Sequence, residues 1–177
     1  MKLWTILNRA IVGWQMIVRG EPGWRSQFDL TAAGLTAALS IYALLAFLAV
    51  AVAAMSIGML GAFGVLAAMV VLAVPVIALV LSLLITRNFL GNQAPQLPVL
   101  VPGVYALTGF LLLEGLLAMI GGPIVMLAWI GTGYLLFRLT RHALDWSRGI
   151  AAGFAVLTVL LLVAMRLALY MVSTASL

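Results

Sequence analysis

The sequence has no cysteine and a single histidine, and these scarcities exclude several classes of site. Without cysteine the chain forms no disulfide and holds no thiolate-bound metal. His142 alone cannot supply both axial ligands of a bis-histidine haem. Asp145 follows it by one helical turn, but two side chains are too few for a metal site. We therefore predict no cofactor and no metal.

Charge is equally scarce: 7% of the 177 residues are charged and 66% are hydrophobic, whereas about 25% are charged in soluble domains. The net charge is +5, but the nine Lys and Arg are scattered and do not form the basic patch of a nucleic-acid binder. The composition predicts an integral membrane protein with no nucleic-acid partner.

Motifs that carry catalytic chemistry are also missing. The chain has no glycine-rich phosphate loop, no HExxH zinc motif and no GxSxG nucleophile elbow. It has no cluster of aspartates that could hold magnesium against a phospholipid headgroup. We therefore predict that the protein is not an enzyme.

Long apolar segments dominate what is present. Residues 30–86 carry no charge, and a stretch of that length exceeds one span of about 20 residues, so it divides at the glycines beyond Ser56. Residues 87–102 contain three prolines and predict a loop. The sequence predicts one all-α domain, residues 1–177, a polytopic membrane helical bundle with spans at about 30–55, 63–86, 103–120, 124–139 and 149–172.

An amphipathic helix over residues 3–19 is predicted before the spans. Its apolar residues recur at steps of three and four, and Arg9 falls on the other side. Such a helix lies in the membrane interface with its basic residues facing lipid phosphate. One interpretation is that this helix only orients the first span. The other is that it senses lipid or docks a partner.

Basic and tryptophan residues near the span ends predict anchoring on an anionic leaflet, because both residue types favour the membrane interface. The predicted anchors are Lys2, Trp4, Arg9, Trp14, Arg19, Trp24, Arg25, Arg141, Trp146 and Arg148.

The distribution of basic residues predicts the topology. Four precede the first span, Arg87 follows the second, and three lie in the segment 138–148; five spans place all three segments on one side. The positive-inside rule makes this side cytoplasmic. We predict a bacterial cytoplasmic (inner) membrane protein with a cytoplasmic N-terminus and an external C-terminus.

Two charged residues fall inside the predicted spans. Glu114 and Arg166 lie at estimated heights of about 17 Å and about 26 Å above the cytoplasmic ends of their helices. Tilt and the long arginine side chain can close that difference, so we predict an intramembrane ion pair. Alternatively, Arg166 reaches the outer interface and Glu114 hydrogen-bonds to Thr108 or Tyr105 or stays protonated. Both a tie between helices and a proton or substrate site remain open.

The overall layout resembles the bacterial Yip1-domain proteins. The resemblance is carried by GWQMIVRGEPGW, five spans, Tyr105 near the start of the third span, the Gly-Gly-Pro turn at 121–123, and YLLF followed by HALDWSRGIAAG. It implies a non-enzymatic helical protein that shapes membranes or binds other membrane proteins.

Two functions follow from these observations. The first is an accessory or scaffold subunit that packs against other integral membrane proteins or itself, or organises lipid, since small residues favour close helix packing. The second is a small transporter or channel component in which Glu114 and Arg166 line a polar path.

Overall fold

The computed structural model describes residues 3–57, 61–91 and 95–175. In these ranges the regular structure is helical throughout, and five helices are long and apolar enough to cross a membrane. The predicted all-α fold, with a helix preceding five spans, is therefore confirmed. The helices are α1 (Leu3–Arg19), α2 (Ala32–Ile57), α3 (Ala62–Leu90), α4 (Leu97–Ile120), α5 (Met126–Ala143) and α6 (Arg148–Ala175).

The five long helices form a closed ring. α4 packs on α2 and α5, α6 packs on α5 and α3, and α3 returns to α2, while α3 also touches α4. The order around the ring is therefore α2, α4, α5, α6, α3. α1 lies across the ends of α4 and α5, and we call this side of the bundle the basic end because Arg138, Arg141 and Arg148 lie there.

The connection between α3 and α4 is shorter than the sequence predicts. α3 continues to Leu90, where Gly91 ends it in the left-handed conformation (φ 61°), and α4 begins at Leu97 rather than near residue 103. Pro98 occupies the first turn of α4, where a missing backbone N–H breaks no intrahelical hydrogen bond. Most of the predicted loop at 87–102 is thus helical, because Pro98 suits the start of a helix and α4 continues through Pro102.

Two buried polar contacts join α3 to its neighbours. The Tyr42 hydroxyl of α2 donates to the Leu72 carbonyl at 2.6 Å, one turn before Pro75, and α3 continues through that proline. The hydroxyls of Ser82 and Thr158 are 2.6 Å apart and join α3 to α6. Interhelical hydrogen bonds of this kind contribute about 0.6 kcal/mol each in membrane proteins.

α1 is docked on the protein along one narrow strip. Ala10 and Ile17 are buried, and between them Gly13 lies so close to Phe28 that an added Cβ would be 2.5 Å from the ring. Trp4, in contrast, is 78% exposed. The amphipathic helix therefore contacts the bundle through a strip that includes both small residues and Ile17, and leaves other apolar residues facing outward.

Close packing of α3 against α4 depends on Gly103. A Cβ at this position would lie 2.8 Å from Cδ2 of Leu79, which is fully buried. We expect Gly103→Leu to destabilise the fold by about 1–3 kcal/mol, the usual effect of overpacking. Gly115→Leu on the same helix is the control, because a Cβ there meets nothing within 4 Å. Equal melting temperatures of the two variants in detergent would contradict this packing.

Candidate functional site

Glu114 and Arg166 face each other across α4 and α6. Arg166 donates Nη1 to Oε1 and Nη2 to Oε2 of Glu114, the second bond being 2.9 Å long. The side chains are 14% and 21% exposed, respectively. A bidentate pair of this geometry is among the stronger polar contacts in proteins. The two residues that the sequence singled out are therefore direct partners in the structure.

A third helix joins this pair through Trp129 of α5, whose indole Nε1 donates to Oε1 of Glu114 at 3.1 Å. The guanidinium of Arg166 also lies 5.7 Å from the centre of the Phe110 ring, within the range of a cation–π contact. We call Phe110, Glu114, Trp129 and Arg166 the intramembrane polar cluster. It connects α4, α5 and α6 at one depth.

The shared depth follows from where the helices begin. Glu114 is 17 residues beyond Leu97 and Arg166 is 18 residues beyond Arg148, which corresponds to about 26 Å and 27 Å along the two helices. The difference of about 9 Å expected from sequence arose from the misplaced start of α4. With the boundary corrected, the two side chains meet without an unusual tilt.

Trp129 is the member of the cluster that the sequence analysis missed, although a signal for it exists. The chain turns through Gly121 and Gly122, and positions 114 and 129 are equally far from the centre of that turn. In an antiparallel helical hairpin, such positions lie opposite each other. The predicted alternatives do not contact Glu114, since Thr108 donates to the Val104 carbonyl and Tyr105 packs against Phe28.

The geometry of the cluster favours a fixed contact over a mobile proton or ion. Both carboxylate oxygens accept hydrogen bonds, and the donors come from two different helices. The groove that Trp129 borders, between α5 and α6, is lined by apolar side chains apart from the Tyr134 hydroxyl. This arrangement is best suited to holding α4, α5 and α6 at fixed positions relative to one another.

At the basic end, two predicted lipid anchors are inside the protein. Trp24 and Trp146 are only 5% and 4% exposed. Trp24 packs edge-on against Phe28 at 6.2 Å, and Trp146 packs in the same way against Phe154 at 5.7 Å. The prediction that these two tryptophans anchor in lipid is wrong, because both side chains are buried in the hydrophobic core of the bundle.

Several predicted basic anchors bind backbone carbonyls instead of facing only lipid. Arg25 donates to the Ala143 carbonyl at the end of α5 at 3.0 Å, and Arg141 donates to the Trp146 carbonyl at 2.9 Å. The last carbonyls of a helix lack intrahelical partners, and arginine satisfies them. Similar contacts to carbonyls are made by Arg9 (Ser26), Trp14 (Pro102) and Arg138 (Ile17 and Val18).

The remaining predicted anchors are open to their surroundings. Trp4 is exposed, the side chain of Arg19 is 69% exposed beside Glu21, and Arg148 is exposed at the start of α6. Lys2 lies outside the described residues. Interface anchoring by these side chains stays a prediction.

Comparisons with protein-family models, with curated proteins and with solved structures find no match to this chain. Within the described ranges, no three His, Cys, Asp or Glu side chains come together as a metal site. The candidate site is therefore defined by the geometry of the intramembrane polar cluster alone.

A double-mutant cycle tests whether the cluster is a tie. Replacing Glu114 by Leu leaves Arg166 without its counter-charge, and breaking a buried pair in this way costs about 3–5 kcal/mol. We expect Glu114→Leu or Arg166→Leu to lower the melting temperature strongly, and the double variant to recover much of the loss. Simple additivity of the two single effects would contradict a direct pair.

Proposed function

We propose that this integral membrane protein is a non-enzymatic accessory or scaffold subunit of the bacterial cytoplasmic membrane. The observation that supports it is the state of Glu114, the one acidic residue within the spans. Both of its oxygens are bound by Arg166 and Trp129, so the side chain best suited to transport is committed to holding helices together. The layout resemblance to Yip1-domain proteins points the same way.

A surface suited to a protein partner lies between α1, α4 and α5. This groove has a volume of about 800 Å³ and is mainly apolar. Gly109 forms part of its wall and leaves open space, while Trp4 and Ile11 of α1 are exposed along its edge. Small residues allow a second transmembrane helix to approach closely. We propose that a helix of another membrane protein, or of a second copy, packs here.

Charge supports the proposed orientation. The basic end carries Arg19, Arg148 and most of the other basic residues, whereas Arg166 is paired within the bundle. By the positive-inside rule, the basic end is cytoplasmic and faces the anionic inner leaflet. α1 would then lie at the level of the headgroups.

Filling the groove tests the scaffold function. We expect Gly109→Trp to abolish recovery of a stoichiometric membrane partner, or of the self-associated form, after purification in mild detergent with mass spectrometry. Gly115→Trp is the matched control, because it is on the same helix and also has open space at Cβ but lies outside the groove. Identical recovery from both variants would contradict a partner in this groove.

The transporter alternative makes the opposite prediction for Glu114. In liposomes that contain only this protein, we expect no proton flux that depends on Glu114, since its carboxylate serves as a hydrogen-bond acceptor in the cluster. Glu114→Gln keeps the shape and an acceptor oxygen but removes the charge. Proton flux that disappears in this variant, with assembly intact, would overturn the scaffold function.

A further inference from the structure

Two neighbouring cavities on the α5–α6 side of the bundle together have the shape and polarity of a phospholipid. The first, which we call the basic cavity, has a volume of about 380 Å³ and lies at the basic end. It is lined by Phe137, Arg138, Arg141, His142 and Arg148. The second, the α5–α6 groove, has a volume of about 560 Å³ and an apolar lining that includes Met126, Gly133, Phe137, Ala152, Ala155 and Leu160. Phe137 borders both, so they are adjacent.

The basic cavity has hydrogen-bond donors that the protein itself does not use. Nε of Arg138 is buried and has no hydrogen-bond partner among the described residues. In the same described ranges, the side chain of Arg148 makes neither a hydrogen bond nor an ion pair. Arg141 uses Nη1 for the Trp146 carbonyl. Guanidinium groups with unused donors are typical of sites that bind phosphate.

Positive charge at this place is only partly balanced by the protein. Three arginines line the cavity, and Asp145 is the one acidic residue in the segment joining α5 to α6. Asp145 forms no salt bridge in the described part of the chain. The cavity therefore favours an anionic group over a zwitterion of zero net charge.

The α5–α6 groove has the length and the apolar lining to hold the hydrocarbon part of such a ligand. It extends along α5 from Met126 to Phe137, about 16 Å at 1.5 Å per residue, which is close to the thickness of one leaflet's hydrocarbon, about 15 Å. Gly133 keeps the groove deep, since an added Cβ would touch Val159 at 3.4 Å. Ala152 is exposed on the opposite wall. An acyl chain fits this length and this apolar lining.

We propose that one anionic phospholipid binds here, with its phosphate in the basic cavity and an acyl chain in the α5–α6 groove. This goes beyond the proposed function, which concerns a protein partner, by naming a lipid class and its site. The partner groove between α1, α4 and α5 lies on a neighbouring side of α5, and Tyr134 lines both grooves.

The test is native mass spectrometry of the purified protein titrated with phosphatidylglycerol, phosphatidylcholine or glycerol phosphate. We expect one phosphatidylglycerol to remain bound, phosphatidylcholine to bind more weakly, and glycerol phosphate, which has no acyl chains, to bind far more weakly still. If glycerol phosphate binds as tightly as phosphatidylglycerol, the site accepts free phosphate and the proposal is overturned.

Two variants separate the two halves of the site. Arg148→Gln should weaken phosphatidylglycerol binding about tenfold, the effect of losing one charge-assisted hydrogen bond. Arg19→Gln makes the same change in net charge elsewhere at the basic end and should have little effect. Equal losses in both would indicate non-specific attraction and overturn the proposal.

Ala152→Phe should block the groove and reduce phosphatidylglycerol binding, whereas Gly153→Phe, the next residue on α6, points outside the groove into open space. If the Ala152→Phe variant binds phosphatidylglycerol as tightly as the unchanged protein, an acyl chain does not occupy the groove and the proposal is overturned. If Ala152→Phe fails to fold, the Arg148→Gln variant still tests whether the phosphate binds in the basic cavity. Gly109→Trp, which tests the partner groove, should leave lipid binding unchanged.

Discussion

A carboxylate inside an apolar bundle must be satisfied by the protein, because neither lipid nor the surrounding side chains can hydrate it. This constraint explains the arrangement of α4, α5 and α6. Arg166 neutralises the carboxylate of Glu114, and the indole N–H of Trp129 donates a further hydrogen bond to it. If Glu114 moved away, the guanidinium of Arg166 would be left unpaired inside the bundle. These contacts fix α4, α5 and α6 at one depth. Most other contacts between the helices are apolar and therefore impose no fixed direction.

The same requirement acts at the basic end, where helices stop and their last carbonyls need donors. Arginine is suited to this, since its long apolar stem crosses the packed residues and its donors reach backbone oxygens. Arg25 ties the segment after α1 to the end of α5, and Arg138 ties α5 to the end of α1. Arginines that the positive-inside rule counts only as charge thus also hold α1 on the bundle.

Composition and apolar run length were sufficient to predict the number of helices and the partnership of Glu114 with Arg166. They could not predict the start of α4, because prolines such as Pro98 and Pro102 are compatible both with a loop and with the first part of a helix. Nor could they identify Trp24 and Trp146 as buried, since tryptophan favours both the membrane interface and a packed core. Trp129 is a different case: the predicted turn at 121–123 puts positions 114 and 129 at the same distance from it, but which faces of α4 and α5 meet depends on how the two helices pack.

Trp129 also connects the two sites. Its indole N–H binds Glu114, while its ring forms part of the wall of the α5–α6 groove. At the other end of that groove, Arg141 binds the Trp146 carbonyl and so fixes the start of α6 relative to the end of α5. The positions of α5 and α6 are therefore linked by polar contacts at both ends of the groove, through Glu114 at one end and the Trp146 carbonyl at the other. Such contacts favour a groove that is formed before an acyl chain binds, and preorganisation of this kind lowers the cost of binding.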